Sequence, residues 1–182
     1  MTPIRIAIVV LGLGWLAGRP AGACGFWSMH DVEHKLDVGW LINAASITRD
    51  AGTAHERRLA ALYLDIDNPG GIRVVADRKV IYDLKQSKIL RYGKVIGAVD
   101  AGGNATFGKT TYAIVLGAPK DVHGMLAWTV TVKRGDAVIA QTQTGSALCA
   151  GLHRDPPMTE AEQQDEVRRR VIYYLAWRET GM

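Results

Sequence analysis

The segment LAWTVTVKRGDAVIAQTQT, Leu126 to Thr144, carries the clearest structural signal in the chain. Trp128, Val130 and Val132 alternate with polar residues, and the alternation resumes after the loop Arg134-Gly135-Asp136. Period-two alternation on both sides of a glycine-containing loop predicts a β-hairpin with one buried face. A three-residue loop would place Val132 opposite Val138, with the apolar residues of both strands on that face.

This hairpin requires further elements, because an isolated hairpin is only marginally stable in water. Short runs rich in β-branched and aromatic residues predict the other strands. Since their connections are too short for parallel crossovers, we expect one antiparallel sheet of about five or six strands. The predicted strands are 72–76, 79–84, 89–99, 110–116, 126–133 and 137–144.

Two helices are predicted ahead of these strands. Apolar residues recur at helical spacing between positions 29 and 47, and again between 59 and 66 after a capping-box pattern at Thr53 and Glu56. The sequence Asn68-Pro69-Gly70-Gly71 would end the second helix. The apolar positions are Met29, Val32, Leu36, Trp40 and Ile47 for the first helix, and Leu59, Leu62, Tyr63 and Ile66 for the second.

A third helix is predicted near the C-terminus, where Thr159 and Glu162 form another capping box. Acidic residues early in this segment and arginines later in it suit the helix dipole. Val167, Val171 and Tyr174 would give the helix an apolar face to pack on the sheet. The sequence therefore predicts an α+β fold with two N-terminal helices, a sheet and one C-terminal helix.

The first 23 residues have the pattern of an export signal rather than of a folded element. Arg5 precedes an apolar run from Ile6 to Ala17, and Ala21-Gly22-Ala23 matches a signal-peptidase site. Cleavage there would leave one domain, residues 24–182, in the periplasm or outside a bacterial cell. The whole chain has 22 basic and 18 acidic residues. Without Arg5 and Arg19 the net charge is 20 − 18 = +2, too small to indicate a nucleic-acid partner.

Cys24 and Cys149 are the two cysteines of the chain. In an oxidising compartment an even number of cysteines predicts a disulfide, which here would join the mature N-terminus to the segment after the hairpin. The alternative is that Cys24 carries the lipid of a bacterial lipoprotein, although Arg19, Pro20 and Ala21 fit the required pattern loosely. Membrane attachment would follow only from that alternative.

Residues 103–110, GNATFGKT, match the phosphate-loop pattern of P-loop nucleotide triphosphatases, with Gly103, Gly108, Lys109 and Thr110 at the defining positions. A P-loop must lead into a helix whose N-terminus faces the phosphate. Here a strand-like run follows instead. We therefore favour a glycine-rich loop between two antiparallel strands, with nucleotide binding as the alternative.

His30-Asp31-Val32-Glu33-His34 resembles the H-x-x-E-H zinc motif of the inverzincin peptidases. Two histidines four residues apart on a helix can both bind zinc, and Glu33 could deprotonate a zinc-bound water. A third ligand is needed, and His55 is the nearest candidate. The resemblance covers five residues, and the alternative is a polar helix face without metal.

No complete catalytic constellation emerges from these patterns. The sequence favours an exported, non-catalytic binding or interaction protein without a cofactor, whose partner is another protein or a component of the cell envelope. A zinc-dependent hydrolase using His30, Glu33 and His34 is the first alternative. A nucleotide-binding protein using 103–110 is the second.

Overall fold

The computed structural model describes residues 27–40, 44–65, 73–76, 79–122, 125–143, 148–149 and 158–181. Within these ranges the chain forms 15 strands and a long helix. The strands are β1 (Trp27–Asp31), β2 (Leu36–Trp40), β3 (Ala44–Arg49), β4 (Arg57–Asp65), β5 (Arg73–Ala76), β6 (Lys79–Lys85), β7 (Lys88–Arg91), β8 (Lys94–Val99), β9 (Ala105–Phe107), β10 (Thr110–Leu116), β11 (Lys120–Val122), β12 (Met125–Trp128), β13 (Val130–Arg134), β14 (Ala137–Thr142) and β15 (Leu148–Cys149). The helix, α1, is Glu160–Thr180.

Twelve of the strands close into an antiparallel barrel. Around the barrel their order is β1-β14-β13-β10-β9-β8-β7-β6-β5-β4-β3-β2, and β2 pairs again with β1. The strands β11, β12 and β15 form a separate three-stranded sheet. Closure removes the free sheet edges that would otherwise be open to pairing with other chains.

The first predicted helix, 29–47, is wrong: this segment forms β1, β2 and β3. A four-residue turn at 32–35 shifts the alternation from odd to even positions, so Met29 lies opposite Val38 and Asp31 lies opposite Leu36. All four of these side chains are buried. Within each strand the buried residues recur every second position. Because the turn shifts this alternation, the apolar residues of the whole segment fall at intervals that resemble those of a helix.

The second predicted helix, 53–66, is also wrong, because β4 occupies most of it. Leu62 and Leu64 face the core, whereas Tyr63 between them is 51% exposed. The supposed capping residues hold the β3–β4 loop instead: the Thr53 hydroxyl donates to the Asp50 carbonyl at 2.7 Å, and a Glu56 carboxylate oxygen accepts from the Gly52 amide at 2.8 Å. The same short-range polar contacts serve a helix start and a tight loop.

The predicted hairpin at 126–144 forms with a different register. Its strands are β13 and β14, and the loop between them is Gly135-Asp136. Val132 lies opposite Ala140, not Val138, because a bulge follows Val132. Trp128 belongs to β12 in the separate sheet, since Thr129 interrupts the run.

The C-terminal helix begins as predicted. The Thr159 hydroxyl accepts from the Glu162 amide, and the Glu162 carboxylate accepts from the Thr159 amide, which completes the capping box. The predicted packing on a sheet is wrong, because residues 170–178 of α1 are buried without interruption. A helix that packs on the face of a sheet buries the residues of one side only. A helix buried on all sides must be surrounded by other elements of the protein.

Contacts from several sides of the barrel show that α1 lies inside it. The Arg170 guanidinium is 5.9 Å from the ring centre of Trp40 on β2. The Tyr82 hydroxyl on β6, four strands from β2 around the barrel, lies 2.9 Å from the Thr180 hydroxyl. The Tyr112 hydroxyl on β10, four strands further round, lies 2.6 Å from the Glu179 carboxylate. A helix about 10–12 Å in diameter thus fills the space that twelve strands enclose.

The predicted α+β class and the predicted sheet of five or six strands are therefore wrong. The described chain is a closed twelve-stranded antiparallel barrel with its C-terminal helix inside. The predicted signal peptide, 1–23, lies outside the described residues. Among the described residues, no helix combines the length and the apolar character needed to span a membrane.

Candidate functional site

Two acidic residues lie at one end of the barrel, where β1 ends and the turn to β2 begins. Asp31 is the last residue of β1 and is fully buried, and Glu33 follows in the turn to β2. One Asp31 carboxylate oxygen, Oδ1, accepts from the backbone amides of Glu33 at 2.9 Å and His34 at 2.8 Å. The turn therefore fixes the orientation of a carboxylate that points into the barrel.

The last turn of α1 brings the opposite charge to this carboxylate. Arg178 Nε donates to Asp31 Oδ2 at 2.8 Å, and Tyr174, one helical turn earlier, donates its hydroxyl to the same oxygen. The other guanidinium nitrogens of Arg178 reach Glu33 through Nη2 and Glu179 through Nη1, the latter at 2.9 Å. Only 2% of the Arg178 side chain is exposed.

Tyr112 on β10 completes this group, which we call the Arg178 cluster: Asp31, Glu33, Tyr112, Tyr174, Arg178 and Glu179. The Tyr112 hydroxyl donates to Glu179 at 2.6 Å and accepts from Arg178 Nη1 at 3.1 Å. Arg134, in the β13–β14 hairpin, adds an outer ion pair with Glu33 at 2.9 Å. The cluster thus joins α1 to β1 and β10.

The pKa values in the cluster follow from burial and these contacts. Burial raises the pKa of Asp31, but hydrogen bonds from Tyr174, the His34 amide and Arg178 together lower it more, so the net pKa lies below its ordinary value. The hydrogen bond from Arg134 is the main reason that the pKa of Glu33 is also lowered. Burial, with the hydrogen bond to Glu179, raises the pKa of Tyr112 to about 12. The carboxylates therefore stay charged and the phenol stays neutral near neutral pH.

The cluster is suited to holding α1 rather than to catalysis. A carboxylate offers about four acceptor positions, and Asp31 already accepts from two amides, a hydroxyl and a guanidinium. All three nitrogens of the Arg178 guanidinium donate to oxygens. No lone pair of Asp31 is left for a substrate proton, so the arrangement positions the helix end.

The two histidines of the H-x-x-E-H motif do not share a helix face. His30 lies on β1, with Nδ1 2.9 Å from Asp37 Oδ1, whereas His34 lies in the turn, with Nδ1 3.5 Å from Asp31 Oδ2. Glu33 contacts arginines, and His55 lies in the β3–β4 loop. In the described part of the chain, no three histidine, cysteine, aspartate or glutamate side chains are grouped to hold a metal ion.

The segment 103–110, which matches the phosphate-loop pattern, does not form a single loop. Gly103 and Asn104 lie in the β8–β9 loop, residues 105–107 form β9, and Gly108-Lys109 is the turn into β10. Gly103 has a φ of 81°, and a Cβ there would lie 2.6 Å from the Arg168 side chain of α1. The conformation of the loop and its contact with α1 therefore account for this glycine.

The predicted disulfide involves Cys24, which lies outside the described residues. Cys149 belongs to β15, next to Ala127 of β12.

Strands β5–β10, residues 73–116, form a basic sector of the barrel. This segment contains eight lysines and arginines and three aspartates, so its net charge is 8 − 3 = +5, compared with +4 for the whole chain. The six strands follow one another both along the chain and around the barrel. The excess positive charge of the chain therefore lies on one side of the barrel.

The β7–β8 hairpin places apolar surface within the basic sector. Tyr92 and Val95 are each 60% exposed. The Arg91 guanidinium lies 5.7 Å from the ring centre of Tyr92, and Lys94 is exposed beside it. The sequence predicted one strand over 89–99 and missed this hairpin. The signal was present as Tyr92-Gly93, a short turn between two apolar runs.

Sequence reasoning also missed the Arg178 cluster, because its members lie far apart in the chain. Asp31 and Arg178 are 147 positions apart. The one available signal was the unbroken apolar run VIYYLAW, 171–177, which is too apolar for a helix with a wet side.

No family model, curated protein or solved structure matches this chain. Its fold and cluster define it as a closed antiparallel barrel filled by its own C-terminal helix.

Proposed function

We propose that this protein is an exported, non-catalytic binding protein that recognises its partner with the outer surface of the barrel. The observation that carries the proposal is the burial of residues 170–178 of α1 inside the barrel. Barrels that bind a small ligand keep room for it inside. Here the protein's own helix occupies that room.

The Arg178 cluster supports this proposal, because it holds the helix end with buried, hydrogen-bonded charges. If the helix left the barrel for each binding event, the buried ion pair between Asp31 and Arg178 would have to break each time. Asp31 would then be left in the barrel without its charged partner, which is costly. A permanently filled barrel offers its outer strands and its ends for recognition. Among these surfaces the basic sector has exposed apolar side chains at Tyr92 and Val95.

Export is proposed from the N-terminal sequence. Arg5, the apolar run 6–17 and Ala21-Gly22-Ala23 form a signal-peptide pattern. The partner would then be a protein or another component of the cell envelope, and no cofactor is required.

Site-specific photocrosslinking tests where the partner binds. A photoreactive phenylalanine at Val95 should form a defined adduct in the cells that produce the protein. The matched control is the same residue at Val138 on β14, outside the basic sector, where a valine is 38% exposed. Equal adducts at both positions, or none at Val95, would contradict recognition through the basic sector.

Cell fractionation with intact-mass measurement tests the export proposal. We expect a chain that begins at Cys24 in the periplasmic or secreted fraction. A full-length chain that retains Met1 inside the cytoplasm would overturn this part of the proposal.

A further inference from the structure

Alternate hairpin turns lie at the same end of the barrel because neighbouring strands are antiparallel. The β1–β2, β3–β4, β5–β6, β7–β8, β9–β10 and β13–β14 connections therefore share one end. The acidic residues Asp50, Glu56 and Asp136 lie in the β3–β4 and β13–β14 connections, outside the basic sector. The C-terminus of α1 lies there as well, because Arg178 contacts Glu33 in the β1–β2 turn. We call this end of the barrel the Arg178 end.

Three successive hairpins of the basic sector carry exposed lysines at the Arg178 end. Lys79 begins β6, Lys94 begins β8, and Lys109 lies in the β9–β10 turn. Each is exposed, and none forms a salt bridge with another described residue. With strands about 4.8 Å apart, the three turns extend over roughly 20 Å. Such an arc is larger than a single small anion.

Tyr92 lies at the middle of this arc in an unusual backbone conformation. Its φ is 48°, and the φ of Gly93 is 78°, so both turn residues are left-handed. Asparagine and glycine adopt this conformation readily, whereas a bulky residue there is strained. Tyr92 is nevertheless 60% exposed, and the centre of its ring lies 5.7 Å from the Arg91 guanidinium, so packing against the barrel is limited. Strained backbone conformations of this kind cluster at binding and other functional sites.

From this combination we infer that the basic-sector side of the Arg178 end binds the surface of an anionic lipid bilayer. The inference rests on the proposed function, because it names the partner of the outer surface. Lys79, Lys94 and Lys109 would face lipid phosphates, and Tyr92 would enter the headgroup layer, where tyrosine is favoured. The exposed Val95 beside Tyr92 favours a bilayer over a purely polar polyanion. A planar surface can reach all three hairpins at once.

Vesicle flotation of the full chain tests this inference. We expect binding to phosphatidylcholine vesicles that contain phosphatidylglycerol and no binding to phosphatidylcholine alone, with affinity falling as salt rises. Lys94→Glu with Lys109→Glu should lower the affinity by roughly 30-fold or more, since each basic residue near the surface contributes about fivefold. The matched control is Lys88→Glu with Lys120→Glu, which makes the same charge change at exposed positions toward the opposite end. An equal loss in both pairs would overturn the inference.

Tyr92→Asn separates the contact from the stability of the fold. Asparagine suits the left-handed turn, so the unfolding midpoint should stay the same or rise. Vesicle affinity should fall several-fold because the aromatic ring is lost. Unchanged affinity would show that the ring does not contact the bilayer and would overturn its assigned role.

Two further outcomes distinguish this inference from the proposed function. Tighter binding to a sulfated polysaccharide or to single-stranded DNA than to anionic vesicles, with the same sensitivity at Lys94, would overturn the bilayer as partner. Absence of vesicle binding together with a protein adduct at Val95 would overturn the inference and leave the proposed function supported. Vesicle binding by a chain that is not exported would support the inference and overturn the export part of the proposed function.

Discussion

Arg178 places a guanidinium in a barrel interior whose buried side chains are mostly apolar and aromatic. Its partners Asp31, Glu33 and Glu179 satisfy the charge from three directions. Removing charges from water costs free energy, so a buried ion pair of this kind adds little net stability compared with apolar packing. Replacing one partner is strongly destabilising, because the other charge is then buried without a counter-charge. The pair therefore specifies where the helix ends inside the barrel.

Arg178→Met should lower the free energy of unfolding by about 3–5 kcal/mol, because Asp31 is left charged and buried. Urea denaturation of the full chain measures this change. The matched control is Arg134→Met, which removes an arginine whose side chain is 45% exposed and pairs with Glu33. That change should have a much smaller effect, because solvent screens the exposed Arg134–Glu33 ion pair. Equal effects of the two substitutions would show that burial of Arg178 does not matter.

Acid should destabilise the protein through Asp31. Its pKa is lowered in the folded state, so it stabilises the fold at pH values above its unfolded-state pKa of about 4, and this contribution is lost as pH falls through the lower folded-state value. Unfolding free energy measured between pH 7 and acid should therefore decrease below about pH 4. Asp31→Asn should flatten this decrease, and an unchanged slope in that variant would assign the acid sensitivity to other carboxylates.

The helix α1 combines two environments within one element. Its first turn is exposed and depends on the capping box of Thr159 and Glu162, whereas residues 170–178 depend on burial. Most strands depend on their pairing, because turns and bulges interrupt the local alternation along the chain. Short turns such as Tyr92-Gly93 and the bulge after Val132 change the alternation that a sequence reading depends on.

Thr159→Ala should lower the free energy of unfolding by about 1 kcal/mol, because the Glu162 amide loses its acceptor. Thr159→Ser is the matched control, since serine keeps the hydroxyl. Thermal or urea unfolding followed by circular dichroism measures both. If serine and alanine destabilise equally, the hydroxyl cap does not contribute.

At the scale of the whole molecule, the barrel and its helix depend on each other. Closure through the β1–β14 pair leaves no edge strand in the barrel, but twelve strands enclose more space than their own side chains fill. The helix supplies the missing core with Tyr173, Tyr174 and Leu175, which are fully buried. We therefore expect the barrel and α1 to unfold together.

A chain that ends at residue 157 should lose cooperative unfolding and bind a hydrophobic dye, because its inward-facing residues lack their packing partner. A synthetic peptide of residues 158–182 should reverse both effects, whereas a scrambled peptide of the same composition should not. Cooperative unfolding without dye binding in the truncated chain would contradict the filled-barrel interpretation.

Local chemistry by itself determined several parts of this protein. The capping box at Thr159 located the start of α1, and β-branched alternation located β10 at its observed bounds, Thr110–Leu116. The capping box involves four consecutive residues, and the alternation lies within one strand. They could be interpreted without knowledge of the rest of the chain.

Tertiary structure alone decided the strands before residue 65, the closure of the barrel and the position of α1. Met29 pairs with Thr142, and Asp31 meets Arg178, so both contacts join residues more than a hundred positions apart. A helical and a hairpin arrangement of the segment 29–47 satisfy a similar apolar spacing. Only the barrel interior lets the hairpin bury Met29, Leu36, Val38 and Trp40 at once. The physical reason is that burial depends on the partners surrounding a residue, which no short stretch of sequence contains.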